Sequence, residues 1–305
     1  MDLVAGPLGD DKHKRAKHVG EMSMAKKKVK PTLKVMAADW SLRGYPTEKR
    51  PWSIDTKVKK VRDAGFDGMS SGSDPKLGEA LAKQGLELVG GVDVGSIKEA
   101  APKMKAFMEA GVEHVNVQLC DHDTSTKDAL PVARAVIQAG DDIGIKPAIE
   151  VHRDTCTETP EKAFALAAAY EKRYKKKLRM NFDHSHPAII KQIRPGTYWK
   201  RLPERLDLWK MSELIHFRPF TGSHCQTPIT DGKGKLDRDF VIWRDDYLEP
   251  SLAAWVKGAG SKTLYAVPEL GPQGSGYALA CFPDIWLDAI REKDEIRKVW
   301  RKVLK

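Results

Sequence analysis

Four side chains able to bind a metal each close a short apolar run: Ala148-Ile-Glu150, Asn181-Phe-Asp183, Leu214-Ile-His216 and Ala266-Val-Pro-Glu269. Three carboxylates and one imidazole make a hard, mostly oxygen donor set. Such a set suits one divalent ion, Mn2+ or Mg2+ first, with Zn2+ or Co2+ as alternatives. Without a cation the carboxylates would repel one another, and at least one pKa would rise well above its ordinary value. A single buried Glu is explained equally well by an Arg or Lys partner. Four such groups at the same place in four successive segments are not, because buried charges must be paired or coordinate a metal.

Other polar residues surround this set in the chain. His152 and Arg153 follow Glu150, with Arg153 equally suited to neutralising nearby carboxylates. His186 stands three residues after Asp183, and His184, alternating with Asp183, is expected to face the wall of the fold. Arg218 lies two residues beyond His216, on the same side of an extended segment, and is expected to clamp a substrate oxygen. Gln118 and Trp40 end two further apolar runs, Trp40 offering an apolar face to a ring or simply packing in the core. The stretch Pro219–Asp239 is long for a connection and is expected to form a lid or specificity loop carrying His224. Cys120 and Cys156 read as small apolar fillers.

The elements that would position these groups alternate. Strands are expected at Lys34–Asp39, Phe66–Ser71, Leu86–Asp93, Glu113–Leu119, Lys146–His152, Leu178–His184, Glu213–Phe220 and Thr263–Glu269. Helices are expected at Ile97–Ala110, Lys127–Ala139, Glu161–Tyr174 and Pro283–Val303, among others. Asp63-Ala-Gly, Lys83-Gln-Gly, Glu109-Ala-Gly and Asp142-Ile-Gly each precede an apolar strand, where glycine ends a helix in the left-handed conformation. Thr159-Pro160-Glu161 supplies a cap, a first-turn proline and an acidic first turn. Eight strand–helix pairs predict an α/β fold, a single (β/α)8 barrel over residues 31–305. A doubly wound sheet would usually carry a glycine-rich phosphate loop after its first strand, and Asp39-Trp-Ser-Leu-Arg-Gly is not one. In such barrels the reactive groups stand at the C-terminal ends of the strands, where the four ligand-type residues fall.

Composition narrows the class. The 305 residues carry 52 Lys and Arg against 42 Asp and Glu, a formal net charge of +10. Residues 1–30 and 291–305 each carry a net +4, which leaves +2 for the stretch between them. The body is therefore nearly neutral, which disfavours a broad phosphate-binding face and a nucleic-acid partner. A mean hydropathy of −0.48, and a longest apolar run of only Phe164 to Tyr170, disfavour a membrane partner. Residues 1–30 are basic and polar with no apolar signal core, and are expected to be a mobile extension, with Met22 and Met24 as later starts. Cys120, Cys156, Cys225 and Cys281 are widely spaced with no CxxC pair, so reduced thiols and a cytoplasmic location are expected.

Between Glu150 and Glu269 the sequence resembles the xylose isomerase-like barrels: sugar isomerases, ketose 3-epimerases and endonuclease IV. The residues carrying the resemblance are Glu150 after the fifth strand, Asp183-His-Ser-His186 after the sixth, His216 in the seventh and Glu269 after the eighth. The resemblance implies that Glu150, Asp183, His216 and Glu269 ligate the metal. It further implies that Glu150 and Glu269 exchange a proton with the substrate and that His186 holds a substrate hydroxyl. The implied activity is a sugar isomerase or epimerase working by proton abstraction beside a carbonyl. The second strand departs from the pattern: Asp67-Gly-Met-Ser-Ser-Gly lacks the terminal Glu of many relatives. That departure keeps open a lyase that cleaves 3-keto-glycosides by β-elimination. The endonuclease branch needs three zinc ions, and the histidines for them are missing. A non-catalytic sugar-binding barrel is the remaining reading. The expected partner is a small carbohydrate, and association of copies through the outer helices is compatible with this fold.

Overall fold

Branched and small apolar side chains dominate the expected strands, which suits parallel strands buried on both faces. In the computed structural model, which describes residues 30–305 except Ser261, they form eight parallel strands. These are β1 (Thr32–Ala38), β2 (Gly68–Ser71), β3 (Glu87–Val94), β4 (His114–Leu119), β5 (Lys146–Val151), β6 (Met180–Phe182), β7 (Leu214–Phe217) and β8 (Thr263–Pro268). Each pairs with its chain neighbour from β1 to β6, Met36 of β1 lying opposite Gly68 of β2, and β1 also pairs with β8, bringing Val35 opposite Ala266. β8 pairs in turn with β7, so the sheet curls into a nearly closed (β/α)8 barrel.

The open seam lies between β6 and β7, where no ladder joins the strands among the described residues. Side chains bridge it instead. The Ser212 hydroxyl donates to the Met180 carbonyl at 2.8 Å, and the His216 N–H donates to the Asn181 side-chain oxygen at 3.0 Å. β6 is shorter than expected because Asp183 leaves the extended conformation: its Oδ1 accepts from Ser185 N at 3.0 Å and from Ser185 Oγ at 2.5 Å, starting the next helix. β7 likewise ends at Phe217 rather than Phe220.

Helices α1 (Ile54–Asp63), α2 (Pro75–Ala82), α3 (Ile97–Glu109), α4 (Thr126–Asp141) and α5 (Pro160–Tyr174) follow the first five strands one by one. Ser53, Asp74, Ser125 and Thr159 cap four of them by accepting from first-turn N–H groups. The four repeat glycines, Gly65, Gly85, Gly111 and Gly144, have φ between +69° and +81°, as expected of left-handed helix ends. After β6 come three short helices, α6 (Ser185–Ile190), α7 (Pro195–Arg201) and α8 (Leu206–Met211). After β7, α9 (Arg238–Trp243) continues through a π-helical turn, Arg244–Leu248, into α10 (Glu249–Ala259). The last helix, α11 (Ile285–Val303), closes the ring against the start of the chain: Lys293 Nζ donates to the Ala64 carbonyl at 2.5 Å, and Arg297 reaches Gly65 O and Asp67 Oδ2 at 2.8 Å each. The C-terminal positive charge thus belongs to a packed barrel helix. The expected extension, with Met22 and Met24, falls almost wholly outside the described residues. Among the described residues no helix is long and apolar enough to cross a membrane.

Candidate metal centre

Glu150 is the penultimate residue of β5, Asp183 directly follows β6, His216 is the third residue of β7 and Glu269 directly follows β8. The barrel turns these four positions toward one point at its C-terminal mouth. Each offers one ligand atom, and those atoms all lie within 4.8 Å of one another. Glu150 and Asp183 are completely buried, His216 is 3% exposed, and only Glu269 is partly open, its side chain 17% exposed.

The ring of His216 is held between two carboxylates, with Nδ1 2.9 Å from Glu150 Oε1 and 3.0 Å from Glu269 Oε2. Arg218 lies on the other side. Its Nη2 is 2.6 Å from Glu269 Oε2, its Nη1 is 3.2 Å from Asp183 Oδ2, and its Nε donates to the Glu269 carbonyl at 2.6 Å. The guanidinium also covers the ring of Tyr277 at 4.5 Å, with Arg153 on that ring at 4.3 Å. Arg218 was expected to clamp substrate. It stands here as the buried counter-ion of two ligand carboxylates, with most of its five donors engaged.

These neighbours set the protonation states. Burial opposes ionisation of Glu150, yet the imidazolium of His216 holds its carboxyl down at about 2. Burial likewise opposes ionisation of Asp183, but the Arg218 guanidinium keeps it well below the ordinary carboxylate range. Burial disfavours a charged His216, and Glu269 and Glu150 together raise its pKa far above the usual imidazole value. His186 goes the other way: burial outweighs Asp183 and pushes it down to about 4. A neutral His186 accepts from Arg218 Nη1 at Nε2, 3.0 Å away, which leaves the proton on Nδ1.

Glu150 Oε1, Asp183 Oδ2 and His216 Nδ1 are buried and lie outside hydrogen-bond geometry with every neighbour. Three orphaned ligand atoms facing one point in a nearly dry site are the expected mark of an ion-binding set. The residues therefore fit one divalent ion, held by Glu150, Asp183, His216 and Glu269.

A cavity of about 310 Å³ reaches the set at His216 and Glu269 and is lined also by Trp40, Asp93, Asn116 and Gln118, with Glu150 and Asp183 buried behind it. Gln118 and Trp40 both line this cavity, and Trp40 packs edge-on against Tyr277 with ring centroids 4.9 Å apart. The His152 ring lies tilted against His186 with centroids 3.7 Å apart, its Nδ1 2.5 Å from the Arg153 carbonyl. His184 faces the wall, bonded to the Tyr247 hydroxyl at 2.5 Å and stacked on Trp209. His224 is exposed on a turn closed by the Thr221 hydroxyl, away from the cavity lining. The long loop around it is pinned: Gln226 exchanges two hydrogen bonds with Gly271, and Asp288 accepts from Ile229 N. Sequence reasoning missed Asn116, Asn181 and Tyr277. The two asparagines alternate with Gln118 and Asp183, a usable signal of an inward face. Nothing in the glycine-rich turn before Tyr277 announced its place.

No protein-family model and no curated protein sequence matches the chain. Solved structures do. An L-ribulose 3-epimerase superposes with a TM-score of 0.58 at 12% identity, over 89% of this chain and 97% of that one. D-Allulose 3-epimerase from Methylomonas sp., in complex with D-allulose, gives 0.57 at 12% identity over 90% and 98%. A xylose isomerase-like TIM barrel protein from Mycobacterium smegmatis, in complex with magnesium, gives 0.52 at 14% identity over 89% and 98%. At these identities the likeness concerns the fold, and the fold of this chain is that of the xylose isomerase-like barrels.

Proposed function

We propose that the protein is a divalent-metal-dependent sugar isomerase or epimerase. The observation that carries this reading is the convergence of ligand atoms of Glu150, Asp183, His216 and Glu269 within 4.8 Å of one another, with His216 and Glu269 reaching the barrel's polar cavity. Epimerases of ketoses share the fold, and one of those structures holds D-allulose. When bound, the ion polarises a sugar carbonyl and makes the neighbouring C–H more acidic. Glu150, ionised and shielded from water, is the base that takes this proton; such a positioned base contributes about 10²–10⁴-fold. Glu269, the more open carboxylate, delivers a solvent-derived proton to the other side of the substrate, and Glu150 passes the one it took to solvent. His186, with its proton on Nδ1, orients a substrate hydroxyl. Trp40 and Gln118 hold the sugar ring, and His152 is a secondary contact.

The test is deuterium uptake from heavy water into a broad panel of ketoses in the presence of Mn2+. Uptake by the wild type, lost about 10²–10⁴-fold in Glu150→Gln, is expected. No uptake into any ketose would overturn the reading, and binding of a sugar without exchange would leave a non-catalytic barrel. Release of a free aglycone from a 3-keto-glycoside without isomerisation would instead assign β-elimination to the same carboxylates.

A further inference from the structure

The carboxylate of Glu150 has two oxygens, and a buried amide occupies one of them. Asn116 Nδ2, from β4, donates to Glu150 Oε2 at 2.6 Å. Asn181 Nδ2, from β6, donates to Asn116 Oδ1 at 2.7 Å, and Asn181 Oδ1 accepts the His216 N–H of β7 at 3.0 Å. Both asparagines are buried, 3% and 0% exposed. The relay begins at an acceptor-only carboxylate and ends at a donor-only backbone N–H. Each amide therefore has a single orientation that satisfies the chain, and neither can flip without stranding a buried group.

We propose that Asn116 and Asn181 are positioning residues of the metal centre: they lock Glu150 so that only Oε1 faces the ion, and tie it to His216 across the open seam of the barrel. The relay joins ligands from β5 and β7 at the one junction where the backbone ladder is missing, so the spacing of Glu150 and His216 depends on it. The inference rests on the metal reading above. Partners that orient metal ligands usually contribute 10–100-fold to affinity.

The experiment is calorimetric titration of the full-length chain with Mn2+, paired with thermal unfolding of each ion-free variant. Asn116→Ala and Asn181→Ala are expected to bind Mn2+ about 10–100-fold more weakly than wild type. Ser212→Ala removes another seam hydrogen bond, to the Met180 carbonyl, without touching the relay. It is expected to lower the unfolding midpoint and leave Mn2+ affinity within about twofold, against the 10–100-fold of the relay variants. Wild-type affinity in Asn116→Ala would overturn the relay, and so would an equal loss in Ser212→Ala, which would mean that any loosening of the seam weakens the site. Should Asn181→Ala fail to fold, Asn116→Ala alone decides. A wild type that binds no Mn2+ would overturn the metal reading itself, and the relay with it.

Discussion

On the proposed metal reading, a proton and a divalent ion would compete for His216. Its Nδ1 sits 2.9 Å and 3.0 Å from two carboxylates, which raise its pKa well above the ordinary value, so the ion-free ring is an imidazolium at neutral pH. A metal ligand must be deprotonated, so ion binding expels that proton. Mn2+ affinity is therefore expected to rise with pH through the neutral range, with release of about one proton per ion. Titrations in buffers of different ionisation enthalpy measure that number directly, and a value near zero would show that His216 is already neutral. The same pair stabilises the ion-free fold within limits of pH. The Glu150 contribution is complete above its ordinary value of 4.5 and fades as pH falls toward about 2. The His216 contribution is complete below 6.5 and is lost as pH rises through its raised value.

Among the elements, strands place the ligands and helices hold the strands at the right distance. α2 approaches the end of α3 so closely that a Cβ on Gly78 would fall 2.1 Å from the Ala110 carbonyl oxygen. That oxygen is backbone and cannot swing away. Gly78→Ala is expected to destabilise the fold by about 1–3 kcal/mol, read from urea unfolding, with Mn2+ affinity unchanged because α2 belongs to the outer ring. An unchanged urea midpoint would mean that the helices part without cost. Element positions were largely legible in the chain because period-two apolar runs and glycine-ended helices report local physics. The end of β6 was not. Leu178–His184 reads as one extended apolar run, yet the Ser185 hydrogen bonds to Asp183 bend it, and such a turn depends on side-chain geometry.

At the scale of the whole molecule, closure makes one cooperative unit of the first and last elements. β1 pairs with β8, and α11 buries Ile285, Trp286, Ala289, Ile296, Val299 and Trp300 in the barrel's outer layer, with Trp286 stacked on Phe66 at 5.5 Å. Large buried side chains are worth about 1.5–3 kcal/mol each, against a total stability of ~5–15 kcal/mol. A chain ending at Asp284 is therefore expected to show no cooperative thermal transition by circular dichroism. A sharp transition would show that the barrel is stable without its last helix. The net charge of +10 also changes meaning at this scale. In α11, Arg297 is tied to Gly65 and Asp67, and Arg291 and Lys298 pair with Glu295, so this end of the charge serves packing.

The amino-acid sequence alone determined the strand–helix alternation, the barrel it implies, and the four ligand-type residues, because strand-end position and donor chemistry are local properties of the chain. Tertiary structure alone decided which groups surround those four. The orientation of Arg218 toward Asp183 and Glu269, the Asn116–Asn181 relay, and Tyr277 beneath two guanidiniums all join residues 34 to 124 positions apart. Such contacts follow from the curvature that brings β4 through β8 around one axis, and no spacing along the chain encodes them.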